Sequence, residues 1–403
     1  MSTGESGLRI FNTLTRQKAL FEPSGPAVKL YVCGVTPYDT THAGHARTYL
    51  VFDVLVRHLI HNGLRVDYVQ NITDVDESIV QRAAEQKESY EDLGDHYTAR
   101  YIEDLANLHI LPARAYPRAT DAIEEMHEAI RRLLVTDHAY RVDGDVFFDV
   151  SRTPTYGELS RLDAQAMRDT EAEQDAPTVD DPRKRNELDF PLWRAVESGP
   201  TWESPWGPGR PGWHLECSTL VLKYLGRQID IHGGGVDLIF PHHEAEIAQG
   251  EALTGQAPFS RYWMHVEMAR LDGEKMSKSK GNMIFVADLL KKYSADALRL
   301  YLLGTHYRTP LDYDEQDLDE AAHMANRLSR ASSARLDHTR PDDGSWEMSY
   351  QGFMAALEDD LDTPAALLEI DRLSHAVLEN GVYRAQRALR SLATRLGLSL
   401  ADS

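Results

Sequence analysis

The chain has 403 residues, 42% of them hydrophobic, which is enough to bury cores in two or three domains. No apolar run approaches the roughly 18 residues that span a bilayer, and Met1 to Arg9 lacks the basic and apolar regions of a signal peptide, so a cytoplasmic protein with no membrane partner is expected. A formal charge of −21 shows no global basic excess, so a nucleic acid would have to meet a local basic stripe.

Lys29-Leu-Tyr-Val-Cys33 reads as a short strand, broken by Gly34 and Pro37. From His45 the spacing of Ala46, Tyr49, Leu50, Phe52, Asp53, Val54, Leu55, Leu59 and Ile60 predicts a helix with one buried face, stopped at Asn62-Gly63. His42 and His45 flank Gly44 at its start, where free backbone N–H groups and the helix dipole favour a triphosphate and Gly44 lets it come close. A lone His-x-x-His is more simply a surface pair, and this reading leans on the second half of the chain. Val66 to Thr73 is a second strand, and Asp74-Val-Asp-Glu77 an acidic helix start. Alternation of strand and helix argues for a parallel sheet whose ligand site lies at the strands' carboxyl ends. Helical periodicity from Glu91 to Leu108 ends at Leu111-Pro112 and Pro117.

From Ala119 to about Pro200 the pattern changes to an amphipathic helix, Ala122 to Leu134, the strand-like Asp145 to Val150, and an acidic stretch from Asp169 to Asp181. This reads as an insertion, with the acidic stretch a solvated, mobile loop. Pro205-Trp-Gly-Pro-Gly-Arg-Pro-Gly212 reads as a rigid, turn-rich connector back into the main fold.

Trp213-His-Leu-Glu-Cys217 opens a helix, Gln228 to His232 is a strand, Gly233-Gly-Gly235 a tight turn, and Pro241 fits the first turn of the next helix. There His242 and Glu246, four apart, point the same way and can share a metal, although such a pair alone is most simply a surface contact. The two cysteines, Cys33 and Cys217, each sit at an element end beside a site motif, and in a cytosolic enzyme are expected reduced, buried or metal-bound. Two sulfurs, an imidazole and a carboxylate suit tetrahedral zinc by ligand type, without the support of a Cys-x-x-Cys spacing. Leu271 to Asn282 is a Gly- and Ser-bearing loop with three lysines, the composition of a flap that closes on phosphates.

His42-Ala-Gly-His45 and Lys275-Met-Ser-Lys-Ser279 resemble the two signature motifs of class I aminoacyl-tRNA synthetases. Cys33-Gly-x-Thr36, Tyr68-Val-x-Asn-Ile-Thr-Asp74, Gly212-Trp-His-x-Glu-Cys-Ser218 and Asp230-Ile-His-Gly-Gly-Gly-x-Asp-Leu-Ile-Phe-Pro-His-His-Glu-x-Glu246 make the chain similar to the cysteinyl-tRNA synthetases from about Leu8 to Asp362. The resemblance implies an α/β fold, a Rossmann-like parallel sheet with an α/β insertion and a C-terminal helical bundle. The expected division is 1–118 and 205–315 for the two halves of the catalytic domain, 119–204 for the insertion and 316–403 for the helical part. It implies one zinc per chain on Cys33, Cys217, His242 and Glu246, binding the substrate thiolate. Gly34, Thr73 and Trp213 would line the amino-acid pocket. Gly44, His45, Gly234, Asp237 and Lys278 would bind ATP with Mg²⁺. His42, His45, Lys275 and Lys278 would stabilise charge as the carboxylate of L-cysteine attacks the α-phosphate.

Val286 to Leu303, Asp314 to Arg330 and Tyr350 to Leu398 are helical by periodicity. The segment with which that family usually reads the anticodon is expected to be absent. From Ala321 to Ser403, nine arginines face twelve acidic residues and no lysine, which offers no basic platform. A monomer charging tRNA-Cys through its acceptor stem is the first expectation. Cys33-Gly-Val-Thr-Pro-Tyr-Asp39 is also similar to the cysteine ligases of mycothiol synthesis, whose acceptor is glucosaminyl-inositol. Glu246, Lys184 to Phe190 and Lys291 to Arg299 look more like the synthetases. A third class is a non-catalytic zinc- and nucleotide-binding module.

Overall fold

The computed structural model describes residues 7–174, 181–196, 199–276, 281–336 and 344–400. Strands β1 (Arg9–Asn12) and β2 (Gln17–Leu20) form a hairpin ahead of β3 (Val28–Val35), helix α1 (Ala43–His61) and β4 (Val66–Ile72). Helices α2 (Glu77–Gln86), α3 (Tyr90–Asn107) and α4 (Ile123–Val135) lead to β5 (Ala139–Val142), β6 (Asp145–Phe148), α5 (Ala164–Gln174), β7 (Phe190–Ala195) and β8 (Gly209–Pro211). The chain continues through α6 (Trp213–Tyr224), β9 (Ile229–Gly235), α7 (Glu244–Thr254), β10 (Ser260–Val266), β11 (Ala269–Leu271) and β12 (Glu274–Lys275). It ends with α8 (Val286–Leu289), α9 (Ala295–Leu303), β13 (Leu311–Asp312), α10 (Glu315–Ser333), α11 (Ser345–Glu358), α12 (Thr363–Asn380) and α13 (Tyr383–Arg395).

The central sheet has the order β10-β9-β3-β4, and every neighbouring pair is parallel. Six of the eight residues of β3 are buried, as in a strand covered on both faces. The chain lays β4 on one side of β3 and β9 on the other, so the strand order reverses between β3 and β9. In an open parallel sheet that reversal leaves a crevice outside the strands' carboxyl ends. The segment after α3 extends this sheet: Gln70 N–H donates to Ala115 and Ile72 N–H to Pro117, beside the edge strand β4. A sheet edge tolerates the prolines at 112 and 117 that the sequence presents as breakers.

The inserted segment builds its own antiparallel sheet, β5-β6-β7-β8, backed by α4, with Phe148 stacked on Phe190 at 4.9 Å. Two expectations change here. The acidic stretch is helical as far as Gln174, because its Ala, Gln, Met, Arg and Glu residues favour helix and Asp163 Oδ1 caps Ala166 N–H at 2.9 Å. Met167 and Glu171 on α5 are buried, and Glu171 pairs with Lys184 at 3.3 Å. Residues 175–180 lie outside the described part. The stretch from Pro205 to Gly212 is more than a connector, since β8 within it pairs with β7.

The helices that periodicity joins are also divided. Val286 to Leu303 splits into α8 and α9, with Ser294 capping the second through Ala297 N–H. Tyr350 to Leu398 is three helices, broken at Asp359–Asp362 and at Gly381, whose φ is +68°. These helices are tied to the sheet domain by one buried node. Asp53 on α1 accepts from Leu111 N–H at 2.9 Å, from Arg57 at 2.9 Å and from Arg299 on α9. Arg299 also donates to the carbonyls of Leu108 at 2.7 Å and Leu396 at 2.8 Å, so one guanidinium closes both helix exits onto the core.

Removing one partner of a buried pair leaves the other charge and its carbonyls unsatisfied. Arg299→Met is therefore expected to lower the unfolding free energy by about 3 to 5 kcal/mol in urea titration. An unchanged midpoint would show that the node holds nothing together.

Candidate active site and metal centre

The crevice between β3 and β9 collects side chains from four elements. β3 brings Cys33, β9 brings His232, the first turn of α6 brings Trp213 and Cys217, and the entry to α7 brings His242, His243 and Glu246. Cys33 Sγ lies 3.8 Å from Cys217 Sγ, 3.5 Å from Glu246 Oε1, 3.3 Å from His243 Nε2 and 3.6 Å from His232 Nε2. His242 Nε2 is 3.1 Å from Glu246 Oε1. The four residues chosen from sequence, Cys33, Cys217, His242 and Glu246, form one group whose ligand atoms lie within 4.8 Å of one another.

One local expectation is corrected. Pro241 stands in the turn Ile239–His243, ahead of the α-helix rather than in its first turn, which begins at Glu244. Phe240 before it is extended, as a residue preceding proline tends to be. His242 and Glu246 therefore meet across a turn-to-helix junction.

This set fits a divalent cation. Two Zn–S bonds of about 2.3 Å at a tetrahedral angle put their sulfurs about 3.8 Å apart, which is the separation seen. Glu246 Oε2 and His232 Nδ1 are buried and have no hydrogen-bond partner among the described residues. Burial pushes the Cys33 thiol up, with Cys217 adding to it, and raises the Glu246 carboxyl well above its ordinary range. Burial also holds His242 and His243 well below the ordinary imidazole range and His232 at about 3. Nearby cationic charge would reverse the disfavour of thiolate and carboxylate, and neutral imidazoles are already in their ligating form.

Sequence reasoning missed part of this cluster. Cys33, His232, His243 and Glu246 make a second, overlapping group of ligand type. The first group carries two sulfurs, the second one sulfur and two imidazoles. Outer contacts set the rings: His214 Nδ1 lies 3.0 Å from His242 Nδ1, and His243 Nδ1 lies 2.7 Å from His265 Nε2. The doublet His242-His243 and the isolated His232 at a strand end were the available signals.

The pocket residues expected beside the metal set are brought together. Gly34 N–H donates to Asn71 Oδ1 at 2.8 Å, and Asn71 Nδ2 donates to Thr73 Oγ1 at 3.0 Å. A side chain at Gly34 is impossible, since its Cβ would lie 1.6 Å from the Asn71 carbonyl oxygen. Trp213 stacks on His242, with ring centroids 4.3 Å apart.

At the start of α1 the expectation of free N–H groups changes. His42 is the N-cap, its Nδ1 accepting from Gly44 N–H at 3.1 Å and His45 N–H at 3.4 Å. Nδ1 is thus unprotonated and the ring proton sits on Nε2. Burial lowers His42 to about 4, against opposing pulls from Asp237 and Asp39. Burial, with His42 next to it, holds His45 well below the usual range. Both rings are neutral near pH 7 and stack at 3.7 Å. They are therefore neutral hydrogen-bond donors.

The flap is anchored to this turn. Ala43 N–H donates to Ile284, and Val286 N–H to Thr41, which pairs the strand leaving the flap with the residues flanking His42. Lys275 reaches Asp237 at 3.3 Å, just past the end of β9 that holds Gly234, while Lys278 lies outside the described residues.

A parallel sheet with its crevice at the strand reversal, a histidine-capped helix at the first strand end and a lysine flap tied to that cap define the catalytic core of a class I aminoacyl-tRNA synthetase. The family profile for the class I (C) tRNA synthetase catalytic domain matches residues 21–323. The chain belongs to the cysteine--tRNA ligase family. It is 44% identical over 380 residues to a cysteine--tRNA ligase of Aquifex aeolicus, covering 91% of this chain and 76% of that one. It is 45% identical over 406 residues to one of Nitrosococcus oceani, covering 98% and 81%. Among solved structures, the fold is similar to Mycobacterium tuberculosis methionyl-tRNA synthetase bound to methionyl-adenylate, with a TM-score of 0.63 at 17% identity over 93% of this chain and 88% of that one. It is also similar to the Agrobacterium radiobacter LeuRS in a ternary complex with tRNA, with a TM-score of 0.65 at 13% identity over 94% and 85%.

The cap geometry has a direct consequence in solution. A depressed folded-state value means that the neutral ring is favoured by folding, so this contribution is present above about 6.5 and is lost as pH falls through about 4. Histidine-resolved NMR is expected to show the His42 ring neutral, with the proton on Nε2, at pH 6. A midpoint at or above 6.5 would break the capping argument.

Proposed function

We infer that the chain activates L-cysteine with ATP as cysteinyl-adenylate and transfers it to tRNA-Cys. The observation that carries this is the convergence of Cys33, Cys217, His242 and Glu246 on one point of the crevice, in a chain whose relatives are cysteine--tRNA ligases. Zinc on these four residues would bind a thiol as thiolate and discriminate it from a hydroxyl. Without such a centre, a pocket that only fits a small side chain separates substrates by roughly 10- to 200-fold.

In this reading Gly34, Thr73 and Trp213 hold the amino acid so that its carboxylate faces the α-phosphate. The carboxylate oxygen attacks that phosphorus, and pyrophosphate leaves with Mg²⁺. His42 and His45 donate from their neutral rings to phosphate oxygens, with Gly44 keeping the approach open. Gly234 and Asp237 hold the adenosine side, and Lys275 and Lys278 on the flap neutralise the departing pyrophosphate. Positioning and electrostatics suffice, because no covalent enzyme intermediate is required.

The insertion, residues 119–204, and the flap surface would receive the acceptor stem. A further surface favours tRNA over a small amine. Helix α13 carries four arginines and no acidic residue, and its exposed Arg384 and Arg387 line a cleft of about 740 Å³ with Trp346 and Tyr350. Cationic and aromatic groups together suit phosphates and unstacked bases.

Elemental analysis is expected to give one zinc per chain. Cys217→Ser is expected to lose the metal and to reduce the preference for cysteine over serine in pyrophosphate exchange to about 200-fold or less. A folded Cys217→Ser protein with wild-type discrimination would rule out thiolate selection by this centre.

Labelled cysteine and ATP, offered with tRNA-Cys and with glucosaminyl-inositol in separate reactions, test the acceptor. Label is expected on tRNA, in a reaction that weakens as salt rises. Label found only on the amino sugar would replace the acceptor and leave cysteine activation standing, whereas no cysteine-dependent exchange at all would leave a binding module.

A further inference from the structure

Glu216 has no role in the site as described, yet it lies at its wall. Positions 213, 216 and 217 share a face of α6 by their three- and four-residue spacing. That face holds Trp213, which stacks on His242, and Cys217, which lies 3.8 Å from Cys33. Glu216 is 1% exposed, and its Oε2 has no hydrogen-bond partner among the described residues. Its carboxylate is bonded by the side chain of Thr73. A continuous chain of hydrogen bonds thus runs from Gly34 N–H through Asn71 and Thr73 to Glu216. Neighbouring charge does not satisfy it. Burial, joined by the nearby Cys217, Asp76 and Asp74, raises the Glu216 carboxyl well above its ordinary range. No lysine or arginine among the described residues forms an ion pair with it. Asp74 is occupied by Thr120 N–H at 3.0 Å and hydroxyl at 2.6 Å, and Asp76 by Ser78 N–H at 2.8 Å.

A buried carboxyl oxygen without a partner, with two further carboxyls nearby and no lysine or arginine paired to it among the described residues, calls for a cationic donor. Cysteine has three polar groups. In the reading above the metal set takes the sulfur and the nucleotide takes the carboxylate, which leaves the α-ammonium to be met by the wall of Gly34, Thr73 and Trp213. We propose that Glu216, held in place by Thr73, receives the α-ammonium of the substrate and makes the site reject thiol acids that lack it. This rests on the cysteine-pocket reading of the crevice.

Isothermal titration of the zinc-replete protein with L-cysteine and with 3-mercaptopropionate, which keeps thiol and carboxylate but has no amine, separates the two claims. Wild-type protein is expected to bind cysteine at least about tenfold more tightly than the analogue. Glu216→Gln keeps the volume and an acceptor for Thr73. It is expected to weaken cysteine by roughly tenfold to a hundredfold, the range for one hydrogen bond to a charged group, with the analogue changed by less than about twofold and zinc content unchanged. Equal weakening of both ligands, or a variant that keeps wild-type affinity for cysteine, overturns the proposal. A wild-type protein that binds both equally overturns it without recourse to any variant. Binding of neither ligand overturns the cysteine-pocket reading, and the proposal with it.

Discussion

Two thiols, a carboxylate and several imidazoles are packed together out of contact with water, and this burial governs the rest of the site. Each ionised ligand is disfavoured where it stands, as the upward shifts of Cys33 and Glu246 and the downward shifts of the histidines express. Such a cluster is costly unless a cation compensates it. Its rings are also held from behind. His265 links His243 to Thr13, which follows β1, through contacts of 2.7 and 2.8 Å. Gln249 binds the carbonyl of His214 at 3.1 Å, and Trp263 stacks on His232 at 4.4 Å. Outer contacts of this kind fix which nitrogen faces a metal.

The same crevice explains why residues so distant in sequence act together. β3 and β9 are direct neighbours, with Tyr31 opposite His232 and Val32 opposite Gly233. Cys33 therefore emerges beside Gly233–Gly235, which continue β9 in register with β10 rather than forming the tight turn expected from sequence. Those glycines keep the floor low: a Cβ at Gly233 would strike Phe52 of α1 at 2.1 Å, and one at Gly234 would approach Leu238 and His243. The strand reversal places the metal set at one end of this floor and the histidine-capped helix at the other. The segment after the flap is paired to the residues around that cap, through Ala43 N–H to Ile284 and Val286 N–H to Thr41.

What could be read in advance follows from range. β3, β4, α1 and α3 were legible because apolar periodicity and breakers such as Asn62-Gly63 are local signals. The four metal-set residues were legible by ligand type and by resemblance, although no spacing connects Cys33 to Cys217. His232 and His243 were overlooked since their proximity to Cys33 is created by strand pairing across about 200 positions. The acidic composition that suggested a loop was outweighed at α5 by helix propensity, the Asp163 cap and burial of Met167. The charge state of His42 and His45 was illegible for another reason. Desolvation and the capping bond are tertiary quantities, and they make both rings neutral donors.

The net charge of −21 is also less informative about tRNA than it first suggests. Charges beyond about 8 Å are largely screened at physiological ionic strength, so a polyanion responds to the local arrangement rather than the sum. Residues 321 to 403 carry more acids than arginines, yet α13 has four arginines and no acid. Asp359, Asp360 and Asp362 cluster at the α11 to α12 junction, where Asp360 is consumed internally by Tyr307 at 2.6 Å and Arg308 at 2.7 Å. On α13, Arg390 and Arg395 are spent on Ser332 and Asn62, while Arg384 and Arg387 remain exposed beside two aromatic rings. An acidic surface elsewhere can disfavour unproductive contact with nucleic acid, which in the reading proposed above would confine binding to the places where arginine meets an aromatic face. Affinity in that reading would depend on a small number of phosphates, and specificity on how the acceptor end reaches the crevice.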